Sequence, residues 1–141
     1  WLDADQFTNA VRQARKSDVH WLQQAVDSYR GEFLPDALYE TWAAEERERL
    51  STMFLETADH LSDLRIQNGK FTEAIDLCQR VLAQDKCWER AYRHLMLAYA
   101  QLGDRGQIGR TFQHCTQALR EELDVSPSLE TQELYEKLTN T

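Results

Sequence analysis

The chain has 141 residues, a net charge of −8, five glycines, two prolines and three cysteines. That length is one domain, residues 1–141, with room for a core that needs no disulfide or metal. Scarce glycine and proline beside abundant Leu, Ala, Gln, Glu and Arg favour helices over short strands and turns. No stretch approaches the roughly 18 uninterrupted apolar residues of a membrane span, and no charged-then-apolar leader opens the sequence. A cytoplasmic location is therefore expected, and the acidity opposes direct binding to a phosphate backbone.

Asp3 and Gln6 have capping-box spacing, and Phe7, Ala10, Val11 and Ala14 mark one face of a helix from about 4 to 16. Ser17 and Asp18 break it, and Val19, Leu22, Ala25, Val26 and Tyr29 form the inner stripe of a second helix. Residues 30–36, with Gly31 and Pro35, read as a loop whose Phe33 and Leu34 tuck back onto the core. From Leu38 to Asn68 neither glycine nor proline intervenes, and Trp42, Leu50, Phe54, Ala58, Leu61 and Leu64 keep helical spacing. One long helix, or two with a slight bend, is expected, with Glu45 and Arg49 paired across one turn on a solvated face.

Thr72 to Ala83 is the next predicted helix, facing Ala74, Ile75, Cys78, Val81 and Leu82 inward. Cys87 to Leu102 follows, presenting Ala91, Tyr92, Leu95, Met96, Tyr99 and Leu102. Asp104 with Gln107 opens a helix through Ile108, Phe112, Cys115 and Leu119. Gly109 inside it costs about 1 kcal/mol against alanine and suggests a close approach of two helices. Pro127 suits a first helical position and starts a short terminal helix whose Leu134 and Leu138 close off the stack.

Residues 54 to 125 read as one helical hairpin written twice. Gly69 and Gly103 lie 34 residues apart, and the same shift lays Leu61 on Leu95, Ala58 on Tyr92, Cys78 on Phe112 and Val81 on Cys115. That period belongs to tetratricopeptide-like arrays, in which helical hairpins stack because none can bury its apolar face alone. The glycines weigh most, since a residue without Cβ takes the left-handed conformation that ends a helix. The competing fold is an irregular helical bundle. A stack of this kind presents a surface for gripping a partner, which points to binding rather than catalysis.

Charge is uneven along the chain. Residues 1–85 carry nine basic and sixteen acidic side chains (−7), residues 86–120 six and two (+4), and residues 121–141 one and six (−5). Lys86, Arg90, Arg93, Arg105, Arg110 and Arg120 supply the positive stretch, and Arg90 and Arg93 share one helical face. Arg90, Arg93, Arg105 and Arg110 are the candidate partner-binding residues. Two readings compete for them: stems that cover apolar surface while their heads pair with carboxylates, or a docking site for an acidic protein surface or an adjoining domain.

Cys78, Cys87 and Cys115 form no CxxC pair and read as buried free thiols. His20, His60, His94 and His114 lack zinc-ligand spacing and read as surface or interfacial residues. No nucleotide-binding glycine loop, nucleophile motif or metal-ligand cluster stands in the sequence, so neither enzyme nor cofactor is expected. Because Trp1 opens close before a helix, the chain is read as a piece of a longer protein.

Several segments resemble one family. They are Tyr29-Arg30-Gly31-Glu32-Phe33-Leu34; Trp42 with Glu46-Arg47-Glu48-Arg49-Leu50; Glu89 to Met96 with Ala98-Tyr99; Gly103-Asp104-Arg105; and Leu119 to Ser128 with Thr131 and Leu134-Tyr135. In that order they resemble the bacterial transcriptional activator domain over essentially the whole chain. The resemblance implies an all-α, tetratricopeptide-like domain that follows an OmpR-type winged-helix DNA-binding domain in antibiotic-regulatory activators of actinomycetes. It also implies a role in dimerisation, regulation and activation of transcription, by contact with itself, RNA polymerase or adjoining domains. Lys86 where the family has proline, Ser17 where it has glycine, and Ile108-Gly109 for Ala-Leu depart from the pattern. The alternative function is a free-standing adaptor that holds a peptide or protein terminus and has no role in transcription.

Overall fold

A computed structural model describes residues 7–8, 19–29 and 40–140, with Trp21 and residues 40–43 described by backbone alone. Phe7 and Thr8 are helical. Six further helices follow in order: α1 (Val19–Ser28), α2 (Glu40–Gln67), α3 (Phe71–Gln84), α4 (Glu89–Gln101), α5 (Arg105–Leu123) and α6 (Leu129–Thr139). No strand occurs among the described residues. The rest of the first predicted helix, the Ser17–Asp18 break, the 30–36 loop with Gly31 and Pro35, and the Trp42 side chain lie outside the described residues.

The chain divides into two compact units, Trp1–Leu61 and Ser62–Thr141. In the first, Leu22, Ala25 and Val26 of α1 and Leu50, Phe54, Leu55, Ala58 and Leu61 of α2 are buried with Phe7. Tyr29 links them through its ring, edge-on to Phe7 at 5.5 Å and stacked on Phe54 at 4.3 Å. Both geometries are ones aromatic rings favour. Arg49 pairs with Glu46 through two contacts, 2.5 and 3.1 Å long, rather than with Glu45. With Arg49 half exposed, that pair adds little stability.

In the second unit α3 packs on α4, α4 on α5, and α6 on both α4 and α5. Ala74, Leu77, Cys78 and Val81 of α3 face Ala91, Tyr92, Leu95, Met96 and Ala98 of α4, and Ile108, Cys115, Ala118 and Leu119 of α5 complete the core. Burial drives the Cys115 thiol up to about 12, with the charge of Glu89 adding to it, so the group stays protonated near neutrality. Leu102, expected on the inner stripe of α4, is 52% exposed because it sits in the turn beyond the helix end.

The two glycine turns are the same turn. Gly69 and Gly103 have φ of 74° and 77°. At the first, the Gly69 N–H donates to the Ile66 carbonyl and the Lys70 N–H to that of Arg65; at the second, Gly103 donates to Ala100 and Asp104 to Tyr99. Each partner is displaced by 34 positions from its counterpart. This paired bonding satisfies carbonyls that a helix end otherwise leaves open. The backbone therefore repeats where most side chains do not.

The helix starts differ from each other. Asp104 caps α5 by accepting from the Gln107 N–H at 3.1 Å, but the return half of a capping box is absent, since the Asp104 N–H is already spent on Tyr99. The Gln107 side chain instead accepts from Arg110 Nε at 3.3 Å. At α6 the cap is Ser128, so Pro127 stands one residue before the cap, buried, and not at the first helical position. Lys86 in place of proline donates to Glu122 at 2.8 Å, tying the α3–α4 turn to the end of α5. Its carbonyl accepts from the Tyr92 hydroxyl at 2.7 Å.

Gly109 does not mark a close helix approach: a Cβ built there meets nothing within 4 Å. Gly109→Ala is therefore expected to stabilise the protein by about 1 kcal/mol, through helix propensity alone. Gly103→Ala forces a left-handed alanine and should destabilise by about 1–2 kcal/mol. Thermal unfolding of the two variants, monitored at 222 nm, should move the midpoint in opposite directions.

Candidate partner-binding cleft

The residues that build the site converge on one carboxylate. Glu89 opens α4, and its Oε2 accepts from the Ser128 N–H at 3.0 Å, from the Ser128 hydroxyl at 2.7 Å and from the Thr131 hydroxyl. Each hydroxyl has one proton, so with both given to Glu89 the 3.2 Å approach of the Ser128 and Thr131 oxygens follows from their shared target. Thr131 is wholly buried. Its remaining capacity is met by Arg93 Nη1, which donates to Thr131 Oγ1 at 2.8 Å and lies 3.6 Å from Glu89. Arg93 Nη2 is 3.7 Å from Glu130.

Burial by itself would raise the Glu89 pKa. The hydroxyls of Thr131 and Ser128, the Ser128 N–H and the Arg93 charge together outweigh it and hold the carboxyl below its ordinary value of 4.5. One charge of each sign is thus partly withdrawn from water with partners supplied, which is the condition for such a group to be tolerated. The far end of α6 is held too, since Arg105 Nη2 donates to the Thr139 carbonyl at 3.2 Å, where a helix C-terminus favours a cation. Between the ends, Tyr135 stacks on Phe112 with ring centres 4.1 Å apart.

Docked this way, α6 completes a cleft of ≈ 390 Å³ lined by Asp63 of α2, Arg90, Arg93, His94 and Leu97 of α4, and Glu130 and Leu134 of α6. These are alternate helices: α2 and α4 each begin a hairpin, and α6 stands where a further hairpin would begin. The cleft floor is fixed by His94, which is 8% exposed and shares a 2.9 Å hydrogen bond with buried Ser62 through Nδ1. Asp63 lies 3.8 Å from its Nε2. Ser, His and Asp side chains are thereby neighbours, yet Ser62 is 1% exposed and out of reach of any substrate. The trio ties α4 to α2.

The four candidate arginines are used in different ways. Arg90 and Arg93 line the same cleft, Arg90 exposed and Arg93 only 16% exposed with its head turned to α6. Arg105 lies on a separate groove with Ala100, Gly103, Ile108, Lys137 and Leu138. Arg110 lies along α5 beside Gln107 and Gly106. Sequence spacing found the face shared by Arg90 and Arg93 but missed Glu89, Ser128 and Thr131. The available signal was Ser128 before a helix, with a second hydroxyl at the third helical position instead of the Glu or Gln of a capping box. No cluster of metal-ligating side chains occurs among the described residues, and no described helix is long and apolar enough to cross a membrane.

Glu89→Gln keeps the shape and removes the charge, and should lower stability at about pH 7 by about 1–3 kcal/mol. The wild-type contribution is complete above the ordinary pKa of 4.5 and fades as pH falls through the lower folded value. Denaturant unfolding across this range should therefore show a larger loss of stability on acidification for the wild type than for Glu89→Gln. Parallel curves would contradict the assignment.

A family model described as the bacterial transcriptional activator domain matches residues 2–139. No curated protein matches the chain. Since the match takes in the glycine turns, the polar network and the terminal helix alike, the chain belongs to the bacterial transcriptional activator domain family, helical, tetratricopeptide-like regulatory domains of transcriptional activators.

Proposed function

We propose that this domain is the protein-contacting module of a bacterial transcriptional activator and that its contact surface is the cleft between α2, α4 and α6. The match over residues 2–139 carries the reading. The cleft supports it, because alternate helices of a hairpin array furnish the surface on which such arrays hold partners. DNA is contacted by a separate winged-helix domain of the full-length protein; a chain with a net charge of −8 is itself repelled by phosphates. The partner is the domain's own second copy, RNA polymerase or an adjoining domain of the regulator, and the setting is the cytoplasm.

Within the cleft Arg90 is the more accessible of the two arginines: it is exposed, and Arg93 is only 16% exposed with its head on Thr131, Glu89 and Glu130. Reversing both charges would disturb α6 as well as the surface, so Arg90 alone separates contact from folding. In the intact regulator, Arg90→Glu should reduce reporter activation by about tenfold, the equivalent of ~1.4 kcal/mol of lost contact, while leaving the circular dichroism and melting temperature of the isolated domain unchanged. Full activation by the folded variant would refute the assignment of this surface.

A further inference from the structure

The helices of the second unit are anchored very unequally. Six residues of α4 are buried, Ala91, Tyr92, His94, Leu95, Met96 and Ala98, and five of α5. In α6 only Thr131 is buried, and it is polar. Leu129, the first residue of α6, is 68% exposed, and Leu134, Tyr135 and Leu138 are half-buried. What fastens α6 is thus a polar cluster at one end, Arg105 on the Thr139 carbonyl at the other, and between them the half-buried Leu134, Leu138 and Tyr135, the last stacked on Phe112. A polar cluster fixes geometry closely but contributes less net stability than an apolar stripe, because its members are well solvated when released.

The connection into α6 begins where α5 is capped. Asp124 has φ of 54° and is the one non-glycine residue in the left-handed region among those described. There it closes α5 as a left-handed cap, its N–H donating to the Arg120 carbonyl and the Val125 N–H to that of Leu119. Asp124, Val125 and Ser126 are all exposed. Release of α6 therefore exposes no fully buried apolar side chain of that helix and leaves the capped end of α5 intact.

We propose that α6 is a hinged strap, latched to α4 by Glu89, Arg93, Ser128 and Thr131, that opens while α3, α4 and α5 stay folded and in opening removes one wall of the cleft. The consequence for binding rests on the function proposed above. Glu130 and Leu134 form the α6 side of the cleft, so a partner that touches both sides binds only the closed form. Occupancy then holds the strap shut, and whatever loosens the latch weakens partner binding in proportion to the closed fraction that is lost. Regulation of the cleft is thereby written into the last helix and not into the core.

Opening is measured without any partner, by amide hydrogen exchange read by mass spectrometry on the full 141-residue chain. Thr131→Val keeps the shape and deletes the hydroxyl, and Thr131→Ser keeps the hydroxyl. In the wild type, α6 amides should exchange about tenfold or more faster than the most protected amides of α4, as a separate class. Thr131→Val should speed α6 by about tenfold or more and leave α4 unchanged, while Thr131→Ser stays within about threefold of wild type. Equal protection of α6 and α4, or a parallel acceleration of both in Thr131→Val, would show that α6 opens only with global unfolding and would overturn the strap. An α6 indifferent to Thr131→Val would overturn the latch. None of these outcomes depends on whether the cleft binds a partner, so failure here leaves the functional proposal standing, and failure of Arg90→Glu leaves the strap standing.

Discussion

A single carboxylate oxygen decides how the domain ends. Glu89 Oε2 collects a backbone N–H and two hydroxyls from the start of α6 while its own helix supplies Arg93 as counter-charge. Removing water from a charge is costly unless other groups take over its solvation, and here the solvating groups belong to another helix. The position of α6 is therefore dictated by what Glu89 needs. With α6 in place the cleft has its second wall; without it Asp63, His94 and Leu97 would face an open edge.

Below that helix the architecture rests on backbone geometry that recurs. The turns at Gly69 and Gly103 exchange the same two hydrogen bonds at the same offsets, and this fixes how each hairpin reverses before any side chain is considered. Side chains then adapt around the shared frame. Cys78 is buried where its counterpart Phe112 is half-buried and stacks on Tyr135. His60 is exposed where its counterpart His94 is buried against Ser62. In its second copy the repeat thus places His94 on the cleft and Phe112 against the last helix.

This division explains what could be read from the sequence. Helix order, the long uninterrupted α2, the glycine turns and most of the inner stripes followed from periodicity and from the absence of Cβ at two positions, because those are local constraints. Pro127 was misplaced by two residues, standing before the cap and not at the first helical position, because Ser128, with a hydroxyl able to cap, competes with proline for the helix start and wins. Gly109 suggested a tight helix crossing, yet only the surroundings of a site reveal whether a glycine is there for space. Arg90 and Arg93 were found as a pair by their spacing. That Arg93 is occupied was not legible, since Thr131 is 38 positions away and only folding brings the two within 2.8 Å. Glu89 looked like an ordinary acidic residue in a first helical turn, which it also is.

The account turns on Glu89 and Thr131 acting together and not as two independent surface contacts, and a double-mutant cycle tests this most directly. Unfolding free energies of wild type, Glu89→Ala, Thr131→Val and the double variant give their coupling. The prediction is that the double variant loses about 1–3 kcal/mol less than the sum of the single losses, because either change alone leaves the other group in place with one of its shared hydrogen bonds unmade. Losses that add within about 0.5 kcal/mol would contradict a shared network and with it the polar anchoring of α6.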